Sequence, residues 1–177
     1  MNSHKLKIAV ADDDPIIVKI LRDRLAAQGF QVLTARDGPE CLELVHHENP
    51  SLLILDLQMP GLSGMELLAE VNMRGREVTV IILTAFGTVE AAVEAMKQGA
   101  YDFIQKPVDF PHLEIVINKA LERMYLKSKS ESLESQLKES EEEIKQLRRE
   151  IGREYDFSNI IGNNRELQQV VHMIKKV

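Results

Sequence analysis

Five short apolar runs punctuate the first hundred or so residues: "LKIAV" (6–10), "QVLT" (31–34), "SLLILD" (51–56), "VTVIILT" (78–84) and "YDFIQ" (101–105). Between them lie "PIIVKILRDRLAAQG", "GPECLELVHHENP", "SGMELLAEVNMRG" and "TVEAAVEAMKQG". Their apolar residues recur every three or four positions, the period of an amphipathic helix. Gly29, Gly75 and Gly99 stand where three of these helices should end, because glycine accepts the left-handed C′ conformation without steric cost. Runs 51–55 and 78–83 scarcely alternate, so both faces of those strands should be buried, as in a parallel sheet covered by helices. Regular strand–helix alternation predicts a three-layer α/β domain of about 120 residues.

From Pro111 the pattern changes. The stretch "PHLEIVINKALERMYLKSKSESLESQLKESEEEIKQLRREIG" holds no further proline and no glycine before Gly152. Fifteen of the twenty-eight residues from Lys127 to Glu154 are charged, more than a helix packed on a core would carry. Leu133, Leu137, Ile144, Leu147 and Ile151 nevertheless follow a 4-7-3-4 spacing, with Ser140 in the intervening core position of the heptad. That is the a/d seam of a dimeric coiled coil with one weak layer; the competing reading is a solvated single helix with scattered leucines. Leu113, Ile117, Ala120 and Met124 run in another register, so a loosened or bent stretch is expected near 127–132. After Gly152 an apolar lead-in and a fresh amphipathic pattern read as the start of a further domain.

Composition narrows the class. Apolar residues make up 44% and tryptophan is absent, which points to an aliphatic core. The net charge of −6 disfavours a general nucleic-acid face, since phosphate neutralisation needs excess Lys and Arg. A single cysteine, Cys41, excludes an intrachain disulfide and suits a reducing cytoplasm. No apolar stretch reaches the roughly 18 residues that span a bilayer, and no signal peptide is evident. The expected location is cytoplasmic, without membrane partners.

The chemistry collects at one edge of the sheet. In a parallel sheet every strand ends on the same side, where ligands bind. Asp12, Asp13 and Asp14 follow the first run, Asp56 ends the third, Thr84 the fourth, and Lys106 follows the fifth. Taken singly, an Asp cluster can be a helix cap, a strand-end Thr structural and a Lys before Pro superficial. Taken together, carboxylates without Cys or suitably spaced His form a hard oxygen set suited to Mg²⁺. A carboxylate beside a cation can attack a phosphoryl group, with Lys106 and the Thr84 hydroxyl meeting the developing charge.

These residues resemble the receiver domain of two-component response regulators. The resemblance rests on "DD" at 12–13, "LDLQMPGLSGMELL" around Asp56, "VIILTA" ending in Thr84–Ala85, and "GAYDFIQKP" ending in Lys106–Pro107. It implies a flavodoxin-like (βα)5 doubly wound parallel sheet of order 2-1-3-4-5, extended by the C-terminal helix as a coiled-coil linker. It also implies that Asp56 accepts phosphoryl from a sensor histidine kinase. Mg²⁺ would be held by Asp13, by Asp12 largely through water, by Asp56 and by the backbone carbonyl of Gln58. A cis Lys106–Pro107 bond, a Thr84–Ala85 phosphate contact and a switch through Phe103 belong to the same expectation, and Phe86 is a candidate shield against water.

The segment "FSNIIGNNRELQQVVHMIKKV" resembles the opening of the AAA+ domain of sigma-54-dependent, nitrogen-regulator-type activators. The implied organisation is a receiver over 1–123, a helical coiled-coil linker over 124–152 and the start of an AAA+ domain over 153–177. The expected partners are the kinase, and a second copy through the linker helix and the receiver face. In the full protein they would include sigma-54 RNA polymerase and enhancer DNA, contacted by domains absent from this sequence. No Gly-rich ATP loop occurs, so the expectation is a regulatory phosphoacceptor with slow self-dephosphorylation only. Two alternatives are an aspartyl-phosphate-type phosphohydrolase, which would need an acid where Gln58 stands, and a dimerisation scaffold that is never phosphorylated.

Overall fold

The computed structural model describes residues 6–73, 78–85, 88–154, 169 and 173. Gly75, Phe86 and nearly all of the segment from 155 onward lie outside the described residues. The chain comprises two compact units, Met1–Met124 and Tyr125–Val177.

The first unit alternates strand and helix: β1 (Lys7–Ala11), α1 (Pro15–Ala27), β2 (Gln31–Ala35), α2 (Gly38–Glu48), β3 (Leu52–Asp56), α3 (Gly64–Met73), β4 (Thr79–Thr84), α4 (Val89–Lys97), β5 (Asp102–Gln105) and the start of α5 (Phe110–Glu154). All strand pairings are parallel and the order is β2-β1-β3-β4-β5, the doubly wound arrangement expected from the sequence. Side chains of a strand alternate between faces, and this divides the core in two. Ile8, Val10, Leu52, Ile54, Ile81 and Leu83 point toward α1 and α5, whereas Ala9, Leu53, Leu55, Val80 and Ile82 point toward α2, α3 and α4. Each fully buried Leu or Ile contributes about 1.5–3 kcal/mol, which explains why the two central strands are aliphatic on both sides.

Helix ends follow local chemistry. Asp14 caps α1 by accepting from Ile16 N–H at 2.8 Å, with Pro15 in the first turn. Asp37 accepts from Glu40 N–H at 2.8 Å, and the Glu40 carboxylate returns to Arg36 N–H at 2.8 Å. Ser63 and Glu66 form a reciprocal capping box at α3. Gly29 and Gly99 follow α1 and α4 with φ of +94°, while α2 ends instead on Asn49 in the left-handed region. Among the described residues no helix is long and apolar enough to cross a membrane.

Helix α5 runs unbroken over 45 residues. The loosening expected at 127–132 is absent, and these residues are helical throughout. A change of seam register needs no break in the backbone ladder when the sequence lacks Gly and Pro, and Lys127 lies 3.8 Å from Glu131 one turn on. In this single chain Leu133, Leu137, Ile144 and Leu147 are each at least half exposed.

Candidate phosphoryl-transfer site

Strand register brings the polar residues together. Ala11 pairs with Leu55, and Asp56 with Leu83, so Asp12, one step past β1, comes beside Asp56 at the end of β3. Thr84 pairs with Gln105 on the next rung, and Lys106 N–H donates to Thr84 O at 2.8 Å, tying the start of the following loop to the end of β4. The Lys106–Pro107 peptide is cis.

Carboxylate oxygens of Asp12, Asp13 and Asp56 all lie within 4.8 Å of one another. Asp12 and Asp56 are buried, with 1% and 4% of their surface exposed, while Asp13 faces solvent. At that separation two carboxylates repel by roughly 3–4 kcal/mol at an effective dielectric near 20. Lys106 offsets this: its Nζ donates to Asp56 Oδ2 at 2.5 Å and forms an ion pair with Asp12 Oδ2 at 2.7 Å. The remaining acceptor positions are partly filled by the backbone, with Asp14 N–H donating to Asp12 Oδ1 and Gln58 N–H to Asp56 Oδ1, both at 3.0 Å. Burial pushes the Asp12 carboxyl above its ordinary range, although Lys106 and Asp14 N–H pull the other way. Burial also draws the Lys106 ammonium down, but its bonds to Asp12 and Asp56 outweigh that and hold it above its usual value.

The residues fit a hard divalent cation. Every donor is a carboxylate oxygen, and Asp12 Oδ2 is a buried anionic atom with an ion-pair contact but no aligned hydrogen bond. Such an oxygen is costly to bury and is relieved by a cation.

The structure gathers Asp12, Asp13, Asp56 and Lys106 into one group, with buried Thr84 at the adjoining strand end and Ala85 exposed just beyond it. Gln58 is exposed at the start of the β3–α3 loop. Phe103 pairs with Ile82, two rungs inside Thr84, and is half-buried against the α2–α3–α4 core rather than among the carboxylates. Of the seam residues, Leu133, Leu137, Ile144 and Leu147 belong to the second unit, and the Ile151 side chain lies outside the described residues.

Two features escaped the sequence reading. One is the direct Lys106–Asp12 contact: Lys106 follows β5, three strands away from β1, and only the reach of its four-carbon side chain hints at the pairing. The other is the tight seat of the β3–α3 loop against the starts of α2 and α3, for which the Asp37-x-x-Glu40 and Ser63-x-x-Glu66 spacings were available signals.

Comparison with known proteins agrees with this geometry. The family model described as "Response regulator receiver domain" matches residues 8–118. The chain is 42% identical over 122 residues to the transcriptional regulatory protein GlrR of Escherichia coli K12, covering 68% of this chain and 28% of that protein. It is 27% identical over 171 residues to the regulatory protein AtoC of the same organism, covering 97% of this chain and 34% of that one. It thus spans about a third or less of these curated relatives. Among solved structures, NtrX from Brucella abortus superposes with a TM-score of 0.68 at 34% identity, covering 73% of this chain and 29% of that chain. With a matching family model over most of its first unit and the acidic site in place, the chain belongs to the response regulator receiver domain family.

Proposed function

We propose that the first unit is a phosphoacceptor switch: Asp56 takes a phosphoryl group from the phosphohistidine of a sensor histidine kinase. The observation that carries this reading is the Lys106 ammonium held between Asp56 and Asp12 beside a third carboxylate at the strand ends. An Asp56 carboxylate oxygen attacks phosphorus, the bond from phosphorus to the histidine nitrogen breaks, and the imidazole leaves as the acyl phosphate forms. Lys106 donates to the phosphoryl oxygens, and the hydroxyl of Thr84 with the backbone N–H of Ala85 completes the cradle on the β4 side. Asp13, Asp56 and the Gln58 carbonyl would hold Mg²⁺ directly and Asp12 largely through water, and the bound ion would neutralise negative charge on the transferring group. Gln58 offers no proton to a leaving group, so release of phosphate by this chain alone is slow. The Thr84–Phe103 pair on adjoining strands carries the phosphorylated state toward the α4–β5 side.

Residues 1–123 then serve as the receiver, 124–152 as the linker and 153–177 as the start of an AAA+ domain of a sigma-54-dependent activator. The similarity to AtoC, which extends over 171 residues, supports continuity beyond the receiver. The full protein acts in the cytoplasm with sigma-54 RNA polymerase at enhancer DNA, and phosphorylation controls how two copies are arranged. Support for the dimer comes from the exposed seam of Leu133, Leu137, Ile144 and Leu147 and from its flanks. In a parallel, in-register pair Lys129 faces Glu134 of the second copy and Glu143 faces Arg148, while Gln136–Glu141 is neutral and no like charges meet.

Labelling tests the reading. A small acyl-phosphate donor with Mg²⁺ labels the chain once, and Asp56→Asn abolishes the label. Label retained in that variant would sink the site assignment.

A further inference from the structure

The β3–α3 loop that follows Asp56 is seated on two helix starts, and each begins with a glycine that has no room for a side chain. A Cβ on Gly64, the first residue of α3, would lie 2.4 Å from Asp56 O and 2.6 Å from Leu57 Cα. Both are backbone atoms, which cannot swing aside. Gly64 N–H also donates to Leu57 O at 3.0 Å. On the other side, a Cβ on Gly38, the first residue of α2, would lie 2.5 Å from Leu62 Cβ and 2.6 Å from Leu62 O, and Gly38 N–H donates to Pro60 O at 3.3 Å.

Gly38 and Gly64 are buried, and neither has the positive φ that would demand glycine for conformational reasons. Their small size is therefore used for close approach. Both helix starts are further pinned by caps: Asp37 accepts from Glu40 N–H while the Glu40 carboxylate accepts from Arg36 N–H, and Ser63 and Glu66 cap each other reciprocally. The loop between them contains Gln58, whose N–H donates to Asp56 Oδ1.

We propose that Gly38 and Gly64 are positioning residues for phosphoryl transfer: by letting α2 and α3 close on the β3–α3 loop, they fix the height of the Asp56 main chain against Lys106. This rests on the reading of Asp56 as phosphoacceptor. Gly64 acts directly on the Asp56 carbonyl, whereas Gly38 acts through Leu62. In-line attack tolerates little error, since a misplacement of about 1 Å costs on the order of a hundredfold in rate. A side chain at either glycine must move the loop.

The test uses the 177-residue chain, with thermal melting and the rate of labelling by a small acyl phosphate at saturating Mg²⁺ measured side by side. Gly64→Ala is expected to melt cooperatively yet label roughly 10- to 100-fold more slowly, and Gly38→Ala to be slowed by a smaller factor. Gly29→Ala is the control. Its φ of +94° makes alanine strained, but a Cβ there meets nothing within 4 Å and the position lies far along the chain from the loop. It should lower the melting temperature without changing the labelling rate. If the folded Gly64→Ala and Gly38→Ala proteins label at the wild-type rate, the positioning role is overturned. Loss of the cooperative melt in either alanine variant also overturns it for that residue, whose role is then in folding. Failure of the wild type itself to label on Asp56 would instead remove the phosphoacceptor reading, a separable result.

Discussion

Lys106 Nζ lies 2.5 Å from Asp56 Oδ2, fifty residues away in sequence, and the same ammonium reaches Asp12 Oδ2 at 2.7 Å. One cation thus serves two buried carboxylates. Removing it leaves both uncompensated, and breaking a buried pair from one side costs about 3–5 kcal/mol. We expect Lys106→Met to lower stability by that order at pH 7 in the presence of a chelator. The loss should shrink when Mg²⁺ is added and again when Asp12, whose carboxyl is raised by burial, protonates in acid. Urea denaturation with and without Mg²⁺ measures it; an equal loss in all three conditions would mean that the lysine acts through packing alone.

Asp12 gives a prediction of opposite sign. Burial raises its carboxyl pKa above the ordinary 3.8 in the folded chain. The stability tied to this group is therefore fully present below the unfolded value and lost as pH rises through the folded one. At neutral pH the ionised form is a burden on the metal-free fold, so Asp12→Asn should raise the melting temperature measured with a chelator. The same variant should lose most of the stabilisation that Mg²⁺ gives the wild type. A lower melting temperature for Asp12→Asn in chelator would place the balance with the Lys106 ion pair instead.

The fold was legible because its signals are local and redundant. Leu52–Leu55 and Val80–Leu83 are apolar on both faces, as a covered parallel sheet accommodates, and Asp14 ahead of Pro15 marks the start of α1 by side-chain capping. The carboxylates and Lys106 were legible as strand-end groups because a parallel sheet sends all its strand ends to one edge. What could not be read was reach and clearance. Whether the Lys106 chain extends to Asp12, and whether Gly64 touches the Asp56 carbonyl, depends on distances between elements that no periodicity encodes. The loosening expected near 127–132 is absent for a related reason: a seam shift changes which face is apolar, not whether the backbone stays helical.

Cys41 is fully buried on α2, and burial pushes its thiol up to about 12 from 9.0, with Glu40 and Asp37 adding to the effect. Below pH 9 the thiol is neutral in both states. Above it the unfolded chain ionises and the folded chain does not, so stability falls as pH rises. Each unit of this gap amounts to about 1.4 kcal/mol, so roughly 2 kcal/mol should be lost between pH 9 and 10.5. Cys41→Ala should carry a fixed packing cost but a flatter pH profile over that window. Parallel profiles for the two proteins, from denaturant titrations, would show that other groups govern the alkaline limb.

Ser140 occupies the seam position between Leu137 and Ile144, and the leucines around it are exposed in the single chain. If two copies pair along this seam, Ser140→Leu fills a polar layer with an apolar one on both helices. Burying a leucine contributes about 1.5–3 kcal/mol, and each 1.4 kcal/mol is tenfold in affinity. The variant should therefore dimerise at least tenfold more tightly in sedimentation equilibrium, and truncation after residue 124 should weaken association. A solvated single helix responds differently: the added leucine stays exposed, the dissociation constant does not move, and the truncated chain associates as the full chain does. Pairing in parallel adds a second signature. Exchanging Lys129 for Glu opposes it to Glu134 of the second copy, and should weaken the dimer by a few tenths of a kcal/mol to about 1 kcal/mol at low salt and less at high salt.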